Sequence, residues 1–164
     1  MGDIAVVFET NVFVQAVLGG HSTFSTWPTL PPMTENPAAD CIGIANDGRE
    51  FALWLSPHIL SNLARVLAEA GVTPSDIEEY VVVLSEIAES SGGGVVEPPR
   101  SVNDWDDHED NLILDLAAEV GALLFVSDDT DLTSMSPWRG TPILRPRDFA
   151  ARVDAMRRAR RRSL

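Results

Sequence analysis

The chain alternates short apolar runs with longer segments in which apolar residues recur every three or four positions. The runs at residues 4–8, 51–55 and 123–127 are rich in β-branched, aromatic and aliphatic residues and predict buried strands. Residues 95–99 and 141–146 predict two shorter strands. Helical periodicity, capping residues and glycine stops predict helices at residues 10–18, 37–46, 58–71, 76–90, 111–121 and 148–162.

The order of these elements is β-α-α-β-α-α-β-α-β-β-α, and such alternation predicts an α/β protein with a mostly parallel sheet. A chain of 164 residues is expected to form one domain. We place that domain at residues 1–153, followed by an arginine-rich helix end and tail at 154–164. Residues 21–37 are rich in Pro, Thr and Ser and predict a surface loop.

The composition is typical of a soluble globular protein, with 45% hydrophobic and 23% charged residues. No apolar run is long enough to span a bilayer, and the N-terminus lacks the features of a signal peptide. Cys41 is the single cysteine and cannot form an internal disulfide. A cytoplasmic protein without a membrane partner is the expectation.

Charge is distributed unevenly along the chain, whose net charge is −13. Residues 1–144 hold 23 acidic and 4 basic residues, whereas residues 145–164 hold 8 arginines and 2 aspartates. An acidic body disfavours broad electrostatic capture of nucleic acid. The tail is therefore the candidate for binding nucleic-acid phosphates, and a solvated helix end is the alternative. Its arginines are Arg157, Arg158, Arg160, Arg161 and Arg162.

Carboxylates follow two predicted strands and begin a predicted helix. Glu9 follows the first strand, and Asp129 and Asp131 follow the strand at 123–127. Asp110 stands at the start of the predicted helix at 111–121. Strand ends at one edge of a parallel sheet converge, so these side chains are expected to meet. Clustered carboxylates are unfavourable without a cation, and oxygen ligands favour Mg²⁺ or Mn²⁺. Taken singly, each aspartate also fits an ordinary turn or helix start.

Other kinds of site have less support. Asn62 lies at the edge of the apolar stripe of its helix, where it either reaches a cleft or is simply a flanking polar residue. His21, His58 and His108 lack zinc-type spacing and are expected at the surface or in helix caps. No glycine-rich nucleotide-binding motif is present, and no serine has a recognisable histidine partner.

Four segments together resemble the PIN-domain family. They are VVFETNVFVQAVL, SPHILSNLARVL, DHEDNLILDLAAEVGALLFVSDDTDL and TPILRPRDF, which span roughly residues 4–153. The chain is most similar to the bacterial VapC-like group, described as toxins of toxin–antitoxin systems. The resemblance implies a three-layer α/β/α sandwich and a ribonuclease that depends on Mg²⁺ or Mn²⁺. It also implies an RNA substrate, an antitoxin partner and a homodimer.

The same resemblance assigns roles to residues. It implies that Glu9, Asp110 and Asp129 are catalytic and bind metal, and that Asp131 is an added ligand or support. Thr10, Asn11, Asn62 and Ser127 match supporting positions of the family.

Two of these positions depart from the family pattern. Glu9 replaces an aspartate, and Asn62 replaces an acid. Glutamate keeps the charge but moves the carboxylate by one methylene, whereas asparagine keeps an oxygen but loses the charge. Two hypotheses therefore remain: a metal-dependent ribonuclease, and a catalytically weakened PIN-fold protein that binds a partner.

Overall fold

The computed structural model describes residues 2–19 and 35–164. In this part of the chain, five strands and seven helices follow one another. The elements are β1 (Ile4–Phe8), α1 (Thr10–Leu18), α2 (Pro37–Asp47), β2 (Phe51–Leu55), α3 (Pro57–Glu69), α4 (Pro74–Ser91), β3 (Gly94–Val95), α5 (His108–Glu119), β4 (Leu124–Val126), α6 (Thr130–Thr133), β5 (Ile143–Leu144) and α7 (Pro146–Arg162).

The five strands form one parallel sheet in the order β3-β2-β1-β4-β5. β1 is central and pairs with β2 on one side and β4 on the other. The register sets Phe8 beside Val126, so the residues that follow β1 and β4 emerge next to each other. Helices flank the sheet, and the predicted α/β sandwich is confirmed.

The predicted elements differ from the structure in three places. α6 was not predicted because a helix of four residues is too short to show a periodic apolar pattern. β3 covers only Gly94–Val95, shorter than predicted; the proline pair at residues 98–99 lacks the N–H groups that a longer strand needs. Most of the predicted loop at 21–37, and His21 with it, lies outside the described residues.

Aromatic side chains join the sheet to the helices above it. The ring of Phe8 lies 5.9 Å from that of Phe13 and 5.7 Å from that of Phe149, measured between ring centroids. Phe149 also lies 5.1 Å from Phe51. The Tyr80 hydroxyl donates a 2.8 Å hydrogen bond to the backbone oxygen of Phe13. These buried contacts hold α1 and α7 against β1 and β2 on one face of the sheet.

The C-terminal helix continues through the predicted domain boundary after residue 153, in agreement with the helix predicted at 148–162. α7 runs without interruption to Arg162, and Arg157 is only 6% exposed. Its guanidinium donates to both carboxylate oxygens of Glu50, at 2.9 and 2.7 Å, and to Asp47 at 3.1 Å. Arg157 is therefore engaged inside the protein and is not an exposed nucleic-acid contact, because the buried Glu50 carboxylate requires a cation.

The other arginines of the tail point to solvent. Arg158, Arg160, Arg161 and Arg162 are exposed on the last turns of α7. Arg158 pairs with Asp154 on its own helix at 2.9 Å. Among the described residues, no helix is both long and apolar enough to cross a membrane.

Candidate metal centre

The end of β1 and the end of β4 are joined through one serine hydroxyl. The Glu9 N–H donates to the Val126 oxygen at 2.9 Å, which continues the sheet by one step. The Ser127 hydroxyl donates to Glu9 Oε2 at 3.1 Å, and the Asp129 N–H donates to the same hydroxyl at 3.0 Å. Ser127 is fully buried. It therefore sets the position of the Glu9 carboxylate relative to the segment that carries Asp129.

Both aspartate segments are held by helix caps. Asp129 is the N-cap of α6, and its Oδ1 accepts the N–H of Asp131 at 2.8 Å. Asp107 is the N-cap of α5, where its side chain accepts the N–H groups of Glu109 and Asp110. Capping explains why aspartates stand at these positions, since a short carboxylate satisfies the free N–H groups of a helix start. As a result, Asp110 occupies the first turn of α5 and is buried.

Burial and neighbouring charges raise the pKa of Glu9 to about 7. Loss of hydration is the largest cause, and the negative charges of Asp129, Asp110 and Asp128 act in the same direction. The hydrogen bond from Ser127 opposes them, because it favours the ionised form. Glu9 is thus a carboxylate held close to other acids.

The pKa of Asp110 is raised to about 6, first by burial and then by Asp107, Asp129 and Asp131. Asp129 therefore acts on both Glu9 and Asp110, although the three come from distant parts of the sequence. The side chains expected to meet at the strand ends therefore lie close enough for their charges to act on one another.

The side chains at this edge suit a hard divalent cation. Within the described residues, no group of three side chains drawn from acids, histidines and cysteines is arranged to coordinate a metal ion. The available donors are nevertheless carboxylate oxygens, and the buried hydroxyl of Thr10 has no hydrogen-bond partner in the described part of the chain. A cation here would relieve the repulsion that raises the pKa values of Glu9 and Asp110.

A match to a known domain identifies the family of this chain. Residues 5–131 match the PIN domain, which is more than half of the chain and contains all four acids. The chain belongs to the PIN-domain family. PIN domains are in general nucleases that depend on divalent metal and act on RNA. A search of curated proteins found no match.

The supporting residues of this PIN domain have different surroundings: one is buried, one lines a cleft and one is half-buried on a helix. Thr10 is buried at the start of α1, directly after Glu9. Asn11 lines a cleft of about 380 Å³ that it shares with Asp128 and Arg145. Asn62 is half-buried on α3, and its side-chain oxygen accepts a hydrogen bond from the guanidinium of Arg65. The Asn62 oxygen is therefore engaged on its own helix.

Three residues near the PIN-domain acids were not singled out from the sequence. Asp107 and Asp128 contribute to the raised pKa values of Asp110 and Glu9, respectively. Arg145 follows β5 and donates to Asp128 Oδ1 at 3.1 Å and to its backbone oxygen at 3.2 Å. The strand-end rule, applied to the last predicted strand, would have pointed to Arg145. For Asp107, the signal was a capping aspartate three positions before Asp110.

Proposed function

We propose that this protein is a metal-dependent endoribonuclease of the PIN-domain type. One observation carries the proposal: Glu9, Asp110 and Asp129 come from three separate segments, yet their charges act on one another at the carboxyl end of the central strands. Such a cluster lowers the stability of the folded protein, and the binding of a cation at this place would offset that loss and prepare the site for a phosphodiester.

Glu9, Asp110 and Asp129 are the residues that hold Mg²⁺ or Mn²⁺ in this proposal, and Asp131 supports them from the first turn of α6. The bound ion supplies an activated water and neutralises charge that develops on the scissile phosphate. Ser127 orients Glu9 through its 3.1 Å hydrogen bond, which limits the carboxylate to one side of the site. Asn11 lines the neighbouring cleft and is proposed to orient Glu9 or the phosphate, whereas the buried Thr10 supports the start of α1.

The protein is acidic overall, so RNA must be held by local positive charge. Arg158, Arg160, Arg161 and Arg162 are exposed on α7 and are proposed to contact phosphates. Each such contact releases counterions, so binding weakens as salt increases. Arg157 is not included because it neutralises Glu50 and Asp47.

Cleavage of single-stranded RNA with Mn²⁺ tests the catalytic part of the proposal. Asp110→Asn should reduce the rate by more than about 100-fold, since even loss of a residue behind a metal ligand costs about 10–100-fold. Glu9→Asp should increase the rate if the longer side chain displaces the carboxylate. Asn62→Glu should increase it further by restoring a negative charge.

A contaminating nuclease is excluded by comparing the variants from identical preparations. A rate that survives Asp110→Asn unchanged would argue against this site as the source of the activity. If neither Glu9→Asp nor Asn62→Glu increases the rate, separately or together, the second function below is favoured.

The second candidate is a PIN-fold protein that binds a partner with little catalysis. The observation that favours it is Asn62, which carries no negative charge and whose oxygen is engaged by Arg65. Metal binding would then persist without RNA cleavage. Calorimetry with Mn²⁺, combined with the cleavage assay on the same sample, separates the two functions.

The toxin role of the VapC-like group is proposed for this chain as well, with an antitoxin as partner and a homodimer as the working assembly. Induced expression of the wild-type chain should then arrest growth, and the Asp110→Asn variant should not. Growth that continues equally with both would argue against a toxin. Light scattering of the purified protein tests the dimer.

A further inference from the structure

A second cleft opens at the carboxyl end of the sheet, beyond the ends of β2 and β3. Its volume is about 320 Å³. Its wall combines polar side chains with two prolines and one leucine from α5. The polar residues are Ser56, His58, Ser61, Glu97 and Arg100, and the leucine is Leu112.

This cleft lies at the same end of the sheet as the candidate metal centre, and the charge of Glu109, the neighbour of Asp110, acts on His58 in its wall. Ser56 follows β2 and caps α3, and Glu97 follows the β3 region, where the Val96 N–H donates to the Leu55 oxygen at 2.9 Å. Leu112 stands on α5, two positions after Asp110. The strand order places the cleft on the β2 side of β1, whereas Arg145 lies on the β5 side. An RNA strand bound across the candidate metal centre would continue into this cleft.

His58 provides an independent sign of a ligand. Its Nε2 atom is buried and, within the described residues, has no hydrogen-bond partner. Burial lowers the pKa of His58, and the positive charges of His108 and Arg100 act in the same direction, while Glu109 opposes them. The ring is therefore neutral near pH 7. A buried polar atom without a partner is unfavourable, and a ligand that pairs with it removes that cost.

We propose that this cleft binds a nucleotide of the RNA strand next to the scissile phosphate. Arg100 contacts a phosphate, while His58 and Glu97 hydrogen-bond to the edge of the base, which packs against Leu112. Arg100 is one of only four basic residues in positions 1–144, so its place at this cleft is not explained by a generally basic surface. The inference rests on the proposed ribonuclease function and adds a determinant of substrate preference to it.

Binding is measured with labelled single-stranded RNA by fluorescence anisotropy, in an Asp110→Asn background that prevents cleavage. Arg100→Ala should weaken binding about tenfold, within the range for losing one nucleotide contact. The matched control is Arg49→Ala. Arg49 is equally exposed but precedes β2, at the opposite end of the strand from the cleft, and its removal should leave affinity nearly unchanged.

The role of His58 is tested by steady-state cleavage with Mn²⁺ in an otherwise wild-type chain. His58→Leu should raise KM and leave kcat unchanged, because the acids are intact. It should also alter the order of preference among four homopolymeric RNAs. His58→Gln, which keeps a hydrogen-bonding group, should restore part of the loss. Neither variant should lower the melting temperature, since Nε2 makes no bond that the variants break, and the increase with Mn²⁺ should be the same for all three proteins.

Two results would overturn the proposal and leave the ribonuclease function standing. One is equal RNA affinity for Arg100→Ala and Arg49→Ala. The other is an unchanged KM and unchanged base preference for His58→Leu, while Asp110→Asn still abolishes cleavage. If the wild-type chain neither binds nor cleaves any RNA, the ribonuclease function fails and the cleft proposal fails with it.

Discussion

Carboxylates are buried at both ends of the sheet, but their electrostatic surroundings are opposite. At the amino end, Glu50 is 7% exposed and pairs with Arg157, and this guanidinium lowers the pKa of Glu50 despite its burial. At the carboxyl end, burial and neighbouring acids raise the pKa values of Glu9 and Asp110. The chain provides an internal cation for the first group and surrounds the second with further acids.

The difference separates a structural site from a functional one. A buried carboxylate needs a compensating charge, and a guanidinium with two parallel hydrogen bonds supplies it permanently. A permanently bound arginine among Glu9, Asp110 and Asp129 would occupy the place of a metal ion. Leaving that place to a cation from solution lowers the stability of the metal-free protein and keeps the site available for chemistry.

The largest expected effect is at the amino end. Arg157→Ala should lower the free energy of unfolding by about 3–5 kcal/mol, because it removes both close hydrogen bonds to the buried Glu50 and leaves it the more distant Arg160, at 3.8 Å. Urea denaturation measures the change. The control is Arg65→Ala on α3, which removes the ion pair with Glu69, exposed on both sides, and should cost less than about 1 kcal/mol. Equal losses in the two variants would contradict the contrast between a buried pair and a surface pair.

The second effect concerns pH at the carboxyl end. The pKa of Glu9 is about 7 in the folded protein, against an ordinary value of 4.5. The folded state therefore holds this proton longer than the unfolded state, and its contribution to stability is lost as pH rises from about 4.5 to 7. The loss is at most about 3 kcal/mol, at about 1.4 kcal/mol for each pKa unit.

Denaturation in EDTA at pH 5 and pH 8 tests this loss. Glu9→Gln keeps an acceptor for Ser127 but removes the charge, so it should be more stable than wild type at pH 8 and similar to it at pH 5. Glu50 has a lowered pKa, so its contribution has the opposite sign and is lost as pH falls. A wild-type protein whose stability does not fall between pH 5 and pH 8 relative to Glu9→Gln would contradict the raised pKa.

The third effect is stabilisation by metal. At an Mn²⁺ concentration 100 times its dissociation constant, binding adds about 2.7 kcal/mol, which corresponds to an increase in melting temperature of roughly 5–10 °C. Asp110→Asn should lose most of this increase. The same increase in Asp110→Asn would place the ion elsewhere, for example in the acidic cleft lined by Asp104, Asp106, Asp107 and Asp131.

The smallest effect is expected from the exposed end of α7. The double variant Arg161→Ala/Arg162→Ala removes two charges without touching the Arg157 pair. The slope of log affinity for single-stranded RNA against log salt should fall by about 1.4, or about 0.7 for each lost phosphate contact. Arg49→Ala/Arg65→Ala removes two exposed arginines from the acidic body and should leave the slope unchanged. Identical slopes for wild type and Arg161→Ala/Arg162→Ala would show that RNA binds without the exposed arginines at the end of α7.

Most of the sheet could be predicted because the apolar pattern is local. The runs at residues 4–8 and 51–55 are strands with the same bounds in the structure, since a buried parallel strand is apolar throughout. The acids at positions 9, 110, 129 and 131 were recognised by their places at strand ends or helix starts. α6 was missed because four residues carry no periodic signal.

The strands, the longer helices, the family and the acids expected at one edge follow from periodicity, capping and motif spacing, which involve neighbouring residues. Which charges meet depends on how the chain folds. Helical spacing places Arg157 on the buried stripe of α7 with Phe149 and Val153, but Glu50 lies 107 positions away, and nothing local indicates that the two meet. Likewise, the raised pKa values of Glu9 and Asp110 depend on burial and on acids from other segments. Charge compensation acts across space, so it becomes visible only when the chain is folded.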